Sequence, residues 1–313
     1  MTDGELMGER QMDGRADGEL LAERFEEHRG HLRAVAYRML GSLSEADDAV
    51  QEAWLRLSRS DTSDVRNLGG WLTTVTGRVC LDMLRSRRTR REEPMEAYET
   101  FVPDPVVGSL DRVDPEQEVL QADSVGLALL VVMETLEPAE RLAFVLHDMF
   151  AVPFDDIAPV VGRSTAATRQ LASRARRRVQ GSTPAPDPDP TRQREAVDAF
   201  LAASRGGDFE ALVSVLDPDV VLRADAGALA VGPGASKALR GRHQVAESAF
   251  MFRQFAQYAR PVLVNGAVGL LTVVDGKALS VMGLTVVDGK ITGMYILADE
   301  ERLARLDLAG LVG

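Results

Sequence analysis

The sequence predicts a multidomain chain in which two all-α units are followed by an α+β unit. Three observations predict it. The 313 residues suit two or three compact units rather than one. Apolar residues recur at helical spacing from about Leu20 to Val179, whereas strand-like runs dominate after about residue 219. Between the two regimes lies a Pro/Asp tract, residues 181–191 (GSTPAPDPDPT), which reads as an exposed tether.

Residues 1–19 read as an unstructured extension, and two near copies, DGELMGER (3–10) and DGELLAER (17–24), lie within it and across its end. Residues 20–91 form the first helical unit. Phe25, Leu32, Val35, Ala36, Met39 and Leu40 mark its first helix, which Gly41 stops. Ser44 with Asp47 is a capping signal for a second helix, which carries Val50, Ala53, Trp54 and Leu57. Gly69–Gly70 precede a third, marked by Trp71, Leu72, Val75, Val79, Leu81 and Leu84. Residues 92–115, with Pro94, Pro103, Pro105 and Pro115, are a linker. Helices resume from Glu116 and make a second unit over 116–180. Beyond the tether, 192–313 form the α+β unit, with helices at 192–205 and 208–216. Strands are expected at 219–224, 260–264, 267–275, 277–287 and 290–297, a helix near 242–257, and a short helix near 299–308. VVDGK occurs at 273–277 and again at 286–290, and Asp-Gly between such runs signals tight turns of an antiparallel meander.

Composition narrows the function. A hydrophobic fraction of 45% supports a buried core. No apolar run is long enough to span a bilayer. The acidic, polar N-terminus has no secretory pattern, so the expected location is the cytoplasm. Cys80 is the single cysteine, which excludes an internal disulfide and a Cys-rich zinc site. There is no phosphate-binding loop and no metal-ligand spacing, so no cofactor and no metal are expected. The net charge of −12 argues against non-specific coating of nucleic acid. The arginines are nevertheless concentrated. Residues 163–178 hold Arg163, Arg169, Arg174, Arg176, Arg177 and Arg178 without an acid. Residues 78–91 hold Arg78, Arg85, Arg87, Arg88, Arg90 and Arg91, opposed only by Asp82. Two such stretches allow local binding of a polyanion.

The sharpest local signal is PFDDIAPVVGRSTAATRQLASRARRRV, residues 153–179. A short apolar helix precedes Gly162, which suits a left-handed turn, and Ser164 can cap the next helix. That second helix would bury Ala167, Leu171, Ala175 and Val179 and expose its arginines. This is the pattern of a helix-turn-helix with a basic recognition helix. Ser164, Thr165, Thr168 and Arg169 would face base edges, and Arg174, Arg176 and Arg177 the phosphates. Pro159 sits awkwardly within the first of these helices.

Here the sequence resembles a family. DDAVQEAWLRL (47–57) is similar to the segment of sigma-70 family factors that docks on the clamp coiled coil of RNA polymerase. GWLTTVTGRVCLDMLRSRRTRR (70–91) resembles the adjoining segment that melts and reads the −10 element. LEPAERLAFVLHDMF and the helix-turn-helix, together 136–179, resemble the region that reads the −35 element. The short linker is that of the extracytoplasmic-function group. The resemblance implies core RNA polymerase and promoter DNA as partners, and no membrane. It implies that Asp47, Asp48, Gln51 and Glu52 meet the polymerase, and that Arg78, Arg85, Arg87 and Arg88 hold separated strands. Asp82 would orient Arg85 through an ion pair.

Residues 192–313 resemble the SnoaL-like branch of the NTF2-like superfamily, a cone of curved sheet and helices. In sigma factors fused to it, three motifs are characteristic. Their counterparts here are Phe101-Val102-Pro103-Asp104-Pro105, Asp225-Ala226-Gly227-Ala228-Leu229 and Asp299-Glu300-Glu301-Arg302-Leu303. The first keeps both prolines, the second has lost its lysine and two glycines, and the third is barely similar. Pro103, Asp104, Pro105, Asp225 and Gly227 are the expected interdomain regulatory residues. The resemblance implies a sigma factor regulated in cis, with the C-terminal domain setting the separation of the two DNA-reading parts. Such regulation makes a separate anti-sigma protein unnecessary and leaves room for an unknown small ligand. A polymerase-independent, ligand-sensing DNA-binding regulator is the alternative, although it has no need of residues 47–91. A third reading, an enzyme of the NTF2-like type, would need a pair such as Asp225 and His243, with Arg223 and Tyr258 as further polar groups in an apolar pocket.

Overall fold

A computed structural model describes residues 3–60, 65–90, 100–110, 126–182, 187, 189–227, 230 and 232–312. The resumption of helix at Glu116, Pro94, Pro115 and Arg91 fall outside these residues. Helix α1 (Asp3–Leu40) begins within the segment expected to lack structure, whose Glu, Leu, Met, Gln and Arg residues are strong helix formers. Gly41, at φ 67°, ends it by donating its N–H to the Tyr37 carbonyl. Helix α2 (Leu43–Leu57) then starts earlier than the Ser44 signal implied. Ser42 is its N-cap residue, without a side-chain cap bond, and its hydroxyl lies 3.2 Å from that of Ser44. The buried face of α2 carries Ala46, Ala49, Val50, Ala53 and Leu57, three alanines that permit close approach. Trp54 tilts against Phe25 with ring centroids 5.1 Å apart, at the edge of a cluster of Phe25, Leu32, Val50, Leu68 and Leu72. Trp54 is thus a packing residue.

Helix α3 (Leu68–Arg90) includes Gly69 and Gly70 in its first turn. It starts there because the Asn67 carboxamide accepts from the Gly70 N–H at 3.0 Å. Strand β1 (Val107–Gly108) lies in the linker and was not expected. It is followed by α4 (Leu127–Glu134) and α5 (Pro138–Phe144), which has proline in its first turn. A π-helical turn, Val145–Met149, leads to α6 (Phe154–Val161) and α7 (Thr165–Ser182). The α+β part contains α8 (Pro190–Gly206), α9 (Phe209–Val215), β2 (Leu216–Asp225), β3 (Lys237–Arg240) and α10 (Arg242–Met251). It closes with β4 (Ala259–Val264), β5 (Ala267–Val274), β6 (Lys277–Val287), β7 (Lys290–Leu297) and α11 (Glu300–Leu303).

The chain divides into two compact units, residues 1–90 with 137–175 and residues 91–136 with 176–313. In the first, α3 meets α5 and the π turn so closely that a Cβ on Gly77 would lie 3.0 Å from Leu146 and 3.1 Å from Leu142. Arg141 is buried and donates to the Met39 carbonyl at 2.9 Å, which ties α5 to the end of α1.

The second unit is built on a seven-stranded sheet in the order β1-β4-β5-β6-β7-β2-β3. The meander β4–β7 is antiparallel, as expected. β2 differs, because it pairs parallel with β7, and β3 adds to the edge as a strand that the loop-like sequence before it concealed. Asp275-Gly276 and Asp288-Gly289 make the hairpin turns with positive φ at both residues, and Asn265-Gly266 makes a third. Phe200, Leu201, Leu212, Leu222, Leu270 and Met294 form part of the core between helices and sheet. Helix α10 stops at Met251, and a 3₁₀ segment, Arg253–Tyr258, replaces its expected continuation. Part of the expected exposed tether is docked. Asp187 is buried, and its N–H donates to the Val286 carbonyl at 2.8 Å. Helix α4, from the expected second helical unit, packs on the same sheet, with Leu127 occupying the space that a Cβ on Gly283 would need.

Candidate nucleic-acid interface and linker dock

The helix-turn-helix is assembled as its residues suggested. Gly162 takes the left-handed conformation at φ 69° and ψ 40°, and Ser164 Oγ accepts from the Ala167 N–H at 3.3 Å. Pro159 lies inside α6, where it lacks the N–H that would bond back to the Asp155 carbonyl. The buried seam of α7 is shifted from the expected one. Thr168, Ala172 and Ala175 are fully buried, whereas Ala167, Leu171 and Val179 are only partly covered. Small side chains let this helix sit close to its neighbours. Thr168 therefore cannot face DNA bases, since its hydroxyl donates to the Ser164 carbonyl at 3.0 Å within the buried seam.

Ser164 and Arg169 are exposed and Thr165 is half-buried. The Thr165 hydroxyl donates to Asp155 at 2.8 Å, which links the two helices. Arg169 sits 5.7 Å from the Phe154 ring, itself stacked on His147 at 3.7 Å. Arg174 pairs at 3.1 Å with the buried Glu140, so it braces the unit as well as adding charge. Arg177 is exposed and Arg176 half-buried. From Thr165 to Ser182 there is no acid.

On α3, Arg78 and Arg85 are exposed. Arg87 pairs with Glu45 and donates to the Leu40 carbonyl at 3.3 Å. Arg88 forms a two-pronged pair with Glu137. Among the described residues no ion pair joins Asp82 to Arg85. Asp82 lies beside Asp48, Glu52, Ser86 and Arg87 in a groove of about 390 Å³ between α2 and α3. Asp47, Asp48 and Gln51 are exposed on α2 and Glu52 is half-buried. Asp47 pairs with Arg33 at 2.6 Å and Glu52 with Arg56 at 3.0 Å.

In the second unit the linker is bound by one arginine. Arg302 Nε donates to Asp104 at 2.8 Å, Nη1 to Asp225 at 2.8 Å and Nη2 to the Val102 carbonyl at 2.6 Å. Its guanidinium also lies 5.1 Å from the Phe101 ring. Asp225 accepts from the Val102 N–H at 3.2 Å and from the Gly227 N–H at 3.2 Å. Asp104 and Asp225 are 6% and 9% exposed, so both carboxylates depend on this guanidinium for compensation. Pro103 and Pro105 are buried on either side. Two further bonds fasten Val106. Its N–H donates to the Asn265 carboxamide at 3.0 Å, and its carbonyl accepts from the Asn265 N–H at 2.8 Å. β1 then pairs with β4. Gly227, at φ 81°, has a backbone that disfavours any side chain, and a Cβ there would fall 2.3 Å from Asp299 Oδ2, which would have to move. That aspartate caps α11 by accepting from the Arg302 N–H.

The structure thus brings together all five expected regulatory residues and adds Arg302, Phe101 and Asn265. Arg302 stood in the weakest of the three motifs. Its signal was a lone cation in a segment otherwise acidic, in a chain whose linker and second motif each carry an aspartate. The Asp225–His243 pair does not form a site: Asp225 is held by Arg302, and His243 is exposed on α10. A cavity of about 330 Å³ does open between helices and sheet, but Asp225, His243, Arg223 and Tyr258 are not among its lining residues.

Two basic helical faces, one of them in a helix-turn-helix, define a promoter-recognition protein of the sigma-70 class. Residues 24–90 match the Sigma-70 region 2 family and residues 126–179 match Sigma-70, region 4. The chain is 42% identical over 294 residues to the ECF RNA polymerase sigma factor SigJ of Mycobacterium tuberculosis (strain ATCC 25618 / H37Rv), covering 89% of this chain and 91% of that one. It is 37% identical over 287 residues to the probable ECF RNA polymerase sigma factor SigI of M. tuberculosis (strain CDC 1551 / Oshkosh), covering 90% and 95%. The crystal structure of M. tuberculosis SigJ superposes with a TM-score of 0.73 at 37% identity, over 92% of this chain and 99% of that one. The chain belongs to the extracytoplasmic-function RNA polymerase sigma factors. Its function is promoter-specific initiation of transcription with RNA polymerase, and its fold is helical sigma parts followed by a C-terminal mixed-sheet domain.

Proposed function

We propose that this sigma factor is regulated in cis by its C-terminal domain, which acts by holding the linker. The observation that carries this reading is the Arg302 dock, in which Val102, Asp104 and Asp225 share one guanidinium. A linker held at residues 101–108 is not free to follow a path along the polymerase. Its release is the regulated event. In this reading Asp47, Asp48, Gln51 and Glu52 meet core RNA polymerase through the outward face of α2. Arg78, Arg85, Arg87 and Arg88 hold the −10 strands, with Glu45 and Glu137 giving way to phosphate. Ser164, Thr165 and Arg169 read the −35 element, and Arg174, Arg176 and Arg177 hold its backbone. Asp82 joins the groove of α2 and α3 rather than orienting Arg85.

The protein acts in the cytoplasm as an initiation factor without catalytic chemistry of its own. Regulation in cis requires no separate anti-sigma protein, and the cavity supports a small ligand. The test is in vitro transcription with core polymerase on a random promoter library, comparing the intact chain, the Arg302→Met chain and residues 1–191. The expected outcome is one shared −35/−10 pair for all three, with initiation altered severalfold when the dock is broken. Equal initiation by all three would remove the regulatory reading. Polymerase-independent binding to a duplex site without initiation would favour a one-component regulator.

A further inference from the structure

We propose that the cavity of the C-terminal domain binds an amphipathic monocarboxylate, with its apolar body inside the cone and its carboxylate against Lys237. This goes beyond initiation and requires none of the DNA or polymerase contacts. A volume of about 330 Å³ is in the range of small-molecule sites. Phe200, Leu222, Leu270, Met282, Met294 and Ile296 contribute to an apolar wall. Among the described lining residues only Lys237 and Arg253 carry charge, and both are cations. Arg253 is already engaged, since it donates to the Phe250 carbonyl at 3.0 Å and lies 4.3 Å from the Phe250 ring. Lys237 has a different environment. Its ammonium lies 4.7 Å from the Phe252 ring, and among the described residues no carboxylate pairs with it.

Burial pulls the Lys237 pKa below the ordinary lysine value, with no acid opposing that shift. The ammonium therefore loses hydration without a protein anion in exchange. A ligand carboxylate would supply the missing charge while its hydrocarbon part displaces water from the wall. A ligand bearing several charges would leave most of them facing apolar side chains, so a single anionic group is the best match.

The experiment is calorimetric titration of the intact chain with decanoate, decan-1-ol and decyltrimethylammonium. Decanoate is expected to bind about tenfold more tightly than decanol, the difference of a charge-assisted bond, and the cationic amphiphile more weakly than either. Lys237→Met keeps an unbranched side chain but removes the ammonium, and should bring decanoate down to the affinity of decanol without changing that of decanol. Ser280→Trp, which fills the cavity from the sheet side, should abolish binding of both while the thermal transition stays cooperative. Decanol binding as tightly as decanoate, binding that survives Ser280→Trp, or no binding of decanoate by the folded chain would each overturn the proposal.

Discussion

At the scale of single residues, neighbours in sequence have acquired different tasks from their surroundings. Arg169 and Thr168 are adjacent in sequence, yet Arg169 is exposed and Thr168 fully buried. Arg169→Ala is therefore expected to weaken binding to the selected promoter by about 1–3 kcal/mol and to relax preference at one position of the −35 element. Thr168→Val should leave promoter preference intact and affect only stability, and fluorescence anisotropy with variant duplexes separates the two. Gly227→Ala meets both a positive φ and the Asp299 carboxylate. It should destabilise the C-terminal domain by about 1–3 kcal/mol in denaturant unfolding. Cys80 is fully buried, and its burial pushes the thiol pKa up. A thiol raised on folding keeps its proton where the unfolded chain has lost it. Stability from this group is whole below the unfolded value of about 8.5 and declines as pH rises beyond it. Melting temperature should fall above that pH, with Cys80→Ala flattening part of the decline. Iodoacetamide should label Cys80 only after unfolding.

At the scale of elements, the helix-turn-helix depends on one turn and one close seam. Gly162 has open space around it, so a side chain there meets no clash and only the cost of its left-handed backbone. Gly162→Val should destabilise the first unit by about 1–2 kcal/mol and weaken −35 binding through the altered exit of α7. Thermal unfolding and duplex binding measured together would check this, and an unchanged pair of values would show that the turn tolerates an ordinary residue. The seam of Thr168, Ala172 and Ala175 explains why pattern reading placed the α7 face slightly off. A row containing Leu171 looks more apolar than one containing Thr168, but the closest packing favours the smallest side chains. Strands of the meander were legible because Asp-Gly turns and alternation are local signals. β1 and β3 were not, because strands of two and four residues derive their conformation from the neighbour they pair with.

At the scale of the whole molecule, the acidic chain carries two arginine-dense helical stretches, while the linker is tied to the C-terminal domain. Arg302→Met removes the compensation of two buried carboxylates, a change worth about 3–5 kcal/mol where such pairs are fully desolvated. The expected outcome is faster hydrogen exchange at Val102 and Val106, without loss of the β4–β7 protection. Retained protection at Val102 and Val106 would show that β1 and Asn265 hold the linker unaided. The dock and the cavity share one strand end. Ala224 and Ala226 line the cavity while Asp225 between them turns to Arg302, the alternation expected of extended backbone. A ligand pressing on that wall would therefore act on the residue that holds the linker.

The sequence by itself determined the order of helical and mixed parts, the helix-turn-helix, the hairpin turns and the family, because each is written in neighbouring residues or in local periodicity. It also named Asp104, Asp225 and Gly227 through motif resemblance. Only the tertiary structure decided what those residues touch. Arg302 meets Asp104 across 198 positions of chain, Arg88 meets Glu137 across 49, and Lys237 lines a largely apolar cavity that has no acid among its described lining residues. Such pairings depend on how strands and helices are brought together in space, and no spacing along the chain encodes them.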